Sequence, residues 1–389
     1  MTGLRAGGPE SYDTCLARAL ARVDRTNGYT VYCVTGEAVG AFAIDQPNFE
    51  FRVLRPRSRW VSIPVSLPCA LLRHPPDLFH ATYVPPPLFP GRLIFTLLDL
   101  SMFSHPHLYP PLVRLRLQML IRSAIRRATR ILTISEFSRQ CLLDRFHYPE
   151  EQVTVTPLGV DPQFQPCAPE RVEALLQSYE IREPYILHVG RLQARKNLVR
   201  LLEAFARLVD QERIPHKLVL VGRESWEAQE IFEAMDRLQI RSRVIHVGYA
   251  PTDALPMFYS GASAVVFPSL FEGFGLPVLE AMACGAPTVT STVTSLPEVA
   301  GDAAVLVDPY SVEDIAAGIY KVLSDRGACE DMKRRGLARA ATFTWARTAE
   351  QTVDAYRRAM QDTARAGSWP AGLPRPADIS EHQRGGERK

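Results

Sequence analysis

Pro268-Ser269-Leu270-Phe271-Glu272-Gly273-Phe274-Gly275-Leu276-Pro277-Val278-Leu279-Glu280-Ala281-Met282-Ala283-Cys284-Gly285 follows an apolar run, Ala264 to Phe267, and reads as a strand end, a glycine loop and a short helix. Pro277 suits the first turn of that helix and Gly285 its C-terminal cap, so the amides of Gly273, Phe274, Gly275 and Leu276 are presented at a helix N-terminus, where an anion binds. The two glycines let backbone approach a diphosphate closely. Glu272 and Glu280 bracket the same end. Two carboxylates repel phosphate, so they suit sugar or ribose hydroxyls; the plainer alternative makes Glu280 a dipole-stabilising acid and Glu272 a loop acid. Ligand loops at the carboxyl ends of strands belong to open parallel α/β sheets.

A second stretch has the same form. Val189-Gly190-Arg191-Leu192-Gln193-Ala194-Arg195-Lys196-Asn197 reads as a strand end, a glycine turn and three cations ahead of a helix, with Asn197 as its expected N-cap. Arginine offers phosphate a planar fork and lysine a point charge. A lone R-x-x-x-R-K is as well explained by a solvated loop, but the chain has 40 arginines and five lysines, so a lysine at a strand end stands out.

Outward from these loops the chain alternates strands and helices. Strands are expected at Tyr29 to Val34, Asp77 to Ala81, Leu93 to Leu98, Ile131 to Ile134 and Val153 to Thr156, and, after a proline-marked connection through Pro166 and Pro169, at Tyr185 to Val189, Lys217 to Val221, Val244 to Val247, Ala264 to Phe267, Thr288 to Thr290 and Ala304 to Val307. The expected units are 1–165 and 166–344, each doubly wound, then a helix in 345–365 that lies back on the first unit, and a disordered tail, 366–389, rich in Pro, Gly and charge. Between the early strands, 112–132 reads as a helix with Leu, Ile and Ala on one side and arginines 114, 116, 122, 126, 127 and 130 on the other.

With 389 residues against roughly 150 per typical domain, two or three domains are expected. Apolar residues at 46% and charged residues at 22% are the balance of a soluble enzyme rather than a disordered chain. A net charge of +3 from 45 cations and 42 anions leaves no general footprint for duplex nucleic acid. Cysteines 15, 33, 69, 141, 167, 284 and 329 stand singly, which indicates neither a disulfide framework nor a zinc site and suits a reducing compartment. The opening residues lack an apolar signal core, and prolines and serines interrupt the long uncharged run Ala254 to Phe271, so a cytoplasmic chain is expected.

Gly190-Arg191 with Lys196-Asn197, then Glu272 and Glu280 around F-E-G-F-G-L-P and A-M-A-C-G, together resemble family 4 of the retaining glycosyltransferases, whose fold, GT-B, is two Rossmann-like doubly wound domains facing across a cleft. The resemblance continues through Ser295-Leu296-Pro297-Glu298-Val299, Asp308-Pro309, Ser135-Glu136-Phe137-Ser138 and Pro157-Leu158-Gly159-Val160-Asp161, and is closest to the mannosyltransferase-type branch serving bacterial surface polysaccharides. It implies a GDP- or UDP-linked sugar on the second domain, with Arg191 and Lys196 on its phosphates, the Phe274 to Leu276 amides along diphosphate and sugar, Glu280 on the ribose, Glu272 by the transferred sugar and the loop at Gly248-Tyr249 at the base. It implies retention of configuration, the leaving phosphate accepting the acceptor's proton, with no metal and no cofactor beyond the donor. No D-x-D occurs in the chain. The acceptor is a saccharide or a lipid-linked one, and the basic helix 112–132 would then meet an anionic membrane, where each cation is worth about 1 kcal/mol; blandly it is a solvated face.

Two departures from the family stand out. The family opens with a strand leading into a glycine-rich loop, whereas Met1-Thr2-Gly3-Leu4-Arg5-Ala6-Gly7-Gly8 has no strand before it. Where the family carries His-Asp at a strand end, this chain reads Leu98-Asp99, leaving Asp99 as the acceptor-side candidate and His105 or His107 as neighbours of the same cleft. Leu98 admits an alternative, a catalytically weakened nucleotide-sugar-binding partner of another transferase. A dinucleotide oxidoreductase or a Walker-type ATPase is opposed by the absence of G-x-G-x-x-G after a strand and of G-K-[ST].

Overall fold

The structure, a computed structural model, describes residues 8–362 apart from 59–60, 83–84, 87–88, 90, 107–108 and 226. The expected tail 366–389 and His107 lie outside the described residues.

In the first half, helix α1 (Gly8–Val23) leads into β1 (Tyr29–Cys33), followed by β2 (Phe49–Val53), β3 (Leu78–Thr82), β4 (Arg92–Leu97), β5 (Arg130–Thr133) and β6 (Val153–Val155). The single sheet expected for this half is in fact two: β1 pairs only with β2, and β3-β4-β5-β6 form a separate parallel sheet. β2 was not anticipated, because Phe-Glu-Phe-Arg-Val carries two charges and lies half-exposed at an edge.

The basic helix is shorter than its pattern implied. It spans Pro111–Arg127, and the chain re-enters the sheet at Arg130, whose buried guanidinium pairs with Asp362 at 2.9 Å instead of facing solvent. Nor is its apolar side all buried. Ile121, Ala124 and Ile125 reach the core, while Leu112, Val113, Leu115 and Met119 are exposed beside Arg122 and Arg126.

The second half is one six-stranded parallel sheet, order β12-β11-β10-β7-β8-β9, from β7 (Tyr185–Val189), β8 (Lys217–Val221), β9 (Val244–Gly248), β10 (Ala264–Phe267), β11 (Thr288–Ser291) and β12 (Val305–Val307). Successive strand residues face opposite sides. Ile186, Leu218 and Leu220 pack under Leu201, Leu202 and Phe205 of the helix Leu198–Gln211, while Leu187, Val219 and Val265 join Phe258, Leu279 and Met282 on the other face. Each such side chain, buried to within a few per cent, contributes about 1.5–3 kcal/mol.

Thr344 caps the last helix, Trp345–Gln361, its hydroxyl accepting from the Arg347 amide at 3.2 Å. This helix lies back across the first half: Ala355 and Ala359 pack on Ile94 and Leu132, and the Tyr356 hydroxyl meets His80 Nδ1 at 2.7 Å. The carboxyl ends of the strands carry the loops that face the cleft between the halves.

Candidate functional site

The two loops singled out in the sequence meet at the ends of β7 and β10. Gly190 ends β7, and its carbonyl comes so near Gly222 that a Cβ at Gly222 would stand 1.9 Å from it. Glycine there lets the Gly190-Arg191 turn settle onto the end of β8. Arg191 is exposed on this turn. Arg195 and Lys196 turn inward: Lys196 Nζ donates to Glu272 Oε1 at 2.5 Å and Arg195 Nη1 to Glu272 Oε2 at 3.0 Å. Lys196 and Glu272 side chains are 8% and 10% exposed, so this is a buried ion cluster. Asn197 stands at the N-cap of the next helix, as expected, but its side chain makes no capping hydrogen bond. It takes a left-handed conformation, φ 61°, and its amide donates to the carbonyls of Pro268 and Pro309 at 3.0 and 2.6 Å, tying the cation loop to the glutamate loop.

The electrostatics follow from that burial. Desolvation alone would raise the Glu272 carboxyl, but Arg195 and Lys196 overcome it and hold it at about 2. Desolvation brings the Lys196 ammonium down to about 8 despite the attraction of Glu272, with Arg195 pushing the same way. Near neutral pH the cluster is therefore ionised, with two cations paired to the Glu272 carboxylate.

The glycine loop ends in the helix Leu276–Ala283, which has Gly275 at its N-cap with φ +113°, and Gly285, φ +70°, closes its C-terminal end. A Cβ on Gly275 would also meet Leu296 at 2.7 Å. Gly273 is needed for a reason the sequence did not suggest: a Cβ there would stand 2.2 Å from the Leu98 carbonyl of the first half, so its absence permits contact between the halves. The other family-like motifs belong to that contact. Ser135 and Ser138 hydroxyls donate to the Gly273 carbonyl at 2.7 and 3.2 Å, and Glu298 accepts the amides of Glu136 and Phe137 at 2.9 and 3.2 Å, a carboxylate at a helix N-terminus. Ser295 donates to the carbonyls of Glu272 and Phe274 at 2.9 and 2.8 Å.

Glu280 is half-buried within the same short helix and accepts from the Tyr259 hydroxyl at 2.9 Å. Burial raises its carboxyl to about 7, against the lowering effect of that hydrogen bond. Asp99, just past β4, accepts from the amide and hydroxyl of Ser101, and its charge acts on both Arg195 and Lys196, which places it on the first-half side of the cluster. His105 packs edge-on against Phe271 at 5.2 Å. Gly248, φ +74°, ends β9, and Tyr249, 57% exposed, lies under Arg223 at 4.4 Å. The structure thus gathers Glu272, Lys196 and Asp99 around one centre, with Glu280 across the glycine loop and Gly248-Tyr249 at a separate strand end.

Three participants escaped the sequence reading. Arg195 was counted among the loop's three cations beside Lys196, but Arg191 was given the phosphate in its place. Tyr259 lay in a run read as core, although a buried tyrosine hydroxyl needs a partner and that need was a usable signal. Arg223 follows Gly222 at the end of β8 and carried no motif.

Both halves of the chain are similar to known proteins. Residues 173–339 match the model of glycosyl transferases group 1, and residues 6–164 that of glycosyltransferase family 4. The chain is 36% identical over 312 residues to O-antigen chain mannosyltransferase B of Escherichia coli, covering 79% of each chain. Among solved structures, sucrose-phosphate synthase of Thermosynechococcus elongatus has a TM-score of 0.74 at 22% identity, over 91% of this chain and 94% of that one. Anabaena HepE in complex with UDP and glucose has 0.72 at 19%, over 92% and 98%. Both are similar in fold.

Proposed function

Because the chain belongs to the group 1, family 4 glycosyl transferases, we propose that it moves a mannosyl group from a nucleoside-diphosphate mannose, with retention and without a metal, to a saccharide or lipid-linked acceptor of a surface polysaccharide. The observation that carries this is the buried Arg195-Glu272-Lys196 cluster beside the Gly275 helix N-terminus. A diphosphate's negative charge would meet Arg191, Arg195 and Lys196, and the helix N-terminus adds donors to it. Donor hydroxyls then take the place of the cations on Glu272. Arg191, Lys196 and Arg195 offset the negative charge that grows on the leaving phosphate, which takes the acceptor's proton on the same face. Glu280 holds the ribose, and Tyr249 with Arg223 forms the platform for the base. The mannosyl assignment rests on the E. coli relative, an O-antigen chain mannosyltransferase.

The test is calorimetry and transfer with GDP-mannose, UDP-glucose, UDP-galactose and UDP-N-acetylglucosamine. GDP-mannose is expected to bind and turn over; preference for a UDP sugar would end the mannosyl reading. Binding without turnover of any donor would favour the weakened-partner reading, which rests on Leu98. Lys196→Ala is expected to weaken nucleoside-diphosphate binding by about 1.5–3 kcal/mol, roughly 10- to 150-fold, from the loss of charge-assisted hydrogen bonds. Unchanged affinity would remove Lys196 from the phosphate site.

Among the described residues no helix is long and apolar enough to cross a membrane. The exposed Leu112, Leu115 and Met119 beside Arg122 and Arg126 support a cytoplasmic protein held at the membrane surface, apolar side chains in the headgroup layer and arginines on anionic lipid. Replacing Arg122 and Arg126 by glutamine should weaken binding to phosphatidylserine vesicles about 30-fold at low salt, at about 1 kcal/mol per cation. Binding that ignores both the substitutions and salt would leave the helix as a solvated face.

A further inference from the structure

His188 is fully buried near the end of β7, and its ring lies within 10° of parallel to that of Phe267 on β10, the centroids 5.3 Å apart. Its Nδ1 is 2.9 Å from the Val266 carbonyl, which can only accept, so Nδ1 carries a proton. Its Nε2 is buried and has no hydrogen-bond partner among the described residues. A buried polar atom left unpaired is costly, and a native fold that keeps one calls for a reason.

The protonation of the ring says what kind of partner fits. Burial, opposed by the Val266 carbonyl and helped by the Lys196 charge, holds the imidazole down at about 4. Near neutral pH the ring is uncharged, its one proton is on Nδ1, and Nε2 presents a lone pair. A phosphate oxygen cannot fill that place, because two acceptors would face each other. A donor can, and Lys196 is beside it. A Cβ built on Gly190 would stand 3.4 Å from His188 Nε2 and 3.9 Å from Lys196 Nζ, so both groups border the space that this glycine leaves open. Lys196 Nζ also lies 4.5 Å from the centre of the Phe267 ring against which His188 stacks.

In this structure the ammonium is held by Glu272 Oε1 at 2.5 Å. We infer that His188 is the positioning residue of Lys196: when donor-sugar hydroxyls occupy Glu272, the ammonium leaves Oε1, donates one proton's hydrogen bond to His188 Nε2 and aims the others at the diphosphate. This rests on the donor site proposed above. A neutral acceptor steadies the ammonium without cancelling its charge, whereas a second carboxylate would compete with the phosphate for it.

Two substitutions separate this role from packing. Asparagine can keep the bond to the Val266 carbonyl but offers nothing at Nε2; glutamine places an acceptor near Nε2 and gives up the Val266 bond. His188→Asn is expected to weaken GDP-mannose binding about tenfold, the loss of one charge-assisted hydrogen bond, and to leave GDP binding unchanged, because without a sugar Glu272 keeps the ammonium. His188→Gln is expected to hold most of the parent's affinity for both. The reverse order, with the asparagine variant like the parent and the glutamine variant impaired, would make His188 a prop for Val266 and overturn the inference; so would equal losses in both variants, or equal losses for GDP and GDP-mannose. Nitrogen NMR of the unsubstituted chain gives a second reading. The Nε2 resonance of His188 should move upfield, still unprotonated, when GDP-mannose binds and stay in place with GDP; an unmoved or protonated Nε2 overturns the inference. A parent that binds no sugar nucleotide ends the function proposed above and this inference with it, whereas normal GDP-mannose binding by His188→Asn ends this inference alone.

Discussion

Glu272→Gln is expected to lower the melting temperature of the ligand-free protein by on the order of 10 °C, with most of the loss restored by a saturating nucleoside diphosphate. The substitution keeps the size of the side chain and removes the carboxylate that is ion-paired with both Lys196 and Arg195. Deleting one partner of a buried pair costs about 3–5 kcal/mol because the other charge stays buried, and each kcal/mol moves the midpoint of a 150–250-residue domain by roughly 2–4 °C. A diphosphate supplies the missing anion and stabilises by mass action, by about 4 kcal/mol at a thousand times its dissociation constant. The sign with pH is fixed as well. Glu272 is held at about 2, below its usual value near 4.5, so its contribution is present above pH 4.5 and fades as the pH falls toward 2; the variant lacks that acid-sensitive component. A calorimetric scan with and without GDP or UDP measures both effects. An unshifted midpoint would show that the cluster contributes no stability, and a lowered midpoint that no nucleotide restores would displace the diphosphate from it.

Glu280→Gln should separate stability from binding. Burial lifts the Glu280 carboxyl to about 7, so the folded state holds a proton that the unfolded chain has released. That contribution is present below pH 4.5 and is lost as the pH rises through 7, so the neutral glutamine is expected to make the free protein more stable than the parent at pH 8. On the proposed reading, ribose hydroxyls donating to Glu280 would favour its ionised form. Nucleotide binding by the parent should therefore release a proton, and its affinity should fall nearly tenfold per pH unit below about 7. Lys196, brought down to about 8, gives the opposite limb, a decline as pH rises above 8. In the glutamine variant the acidic limb vanishes, overall affinity drops, and the alkaline limb remains. Titration calorimetry in two buffers of different ionisation heat reads the proton directly; a parent that binds without releasing one would take Glu280 off the ribose.

What the sequence disclosed and what it withheld divide along physical lines. Strands buried on both faces, such as Tyr185–Val189 and Ala264–Phe267, are continuous apolar runs and were legible, as was the glycine-bounded helix Leu276–Ala283 that follows the second. β2 was not, since an edge strand with Glu50 and Arg52 lacks that pattern. The helix at 111–127 was drawn too long because Ile131 and Leu132 continue its apolar periodicity, although pairing with β4 claims them for the sheet. At the site, residue types were readable but directions were not: nothing in R-x-x-x-R-K states that Arg195 turns inward while Arg191 is exposed, which depends on Gly190 resting against Gly222. The serines of Ser135-Glu136-Phe137-Ser138 read as motif residues, and only the fold shows that they reach the Gly273 carbonyl.

That last contact couples two equilibria. The carbonyl held by Ser135 and Ser138 belongs to the loop whose following amides are proposed to hold the donor, and Glu298 fastens the same first-half helix. A ligand that favours one setting of the loop thereby favours one angle between the halves, and by reciprocity anything that holds the halves at that angle tightens the ligand by the same factor. On the proposed reading, a donor on this loop and an acceptor on the first half would influence each other through these contacts without touching the same side chain.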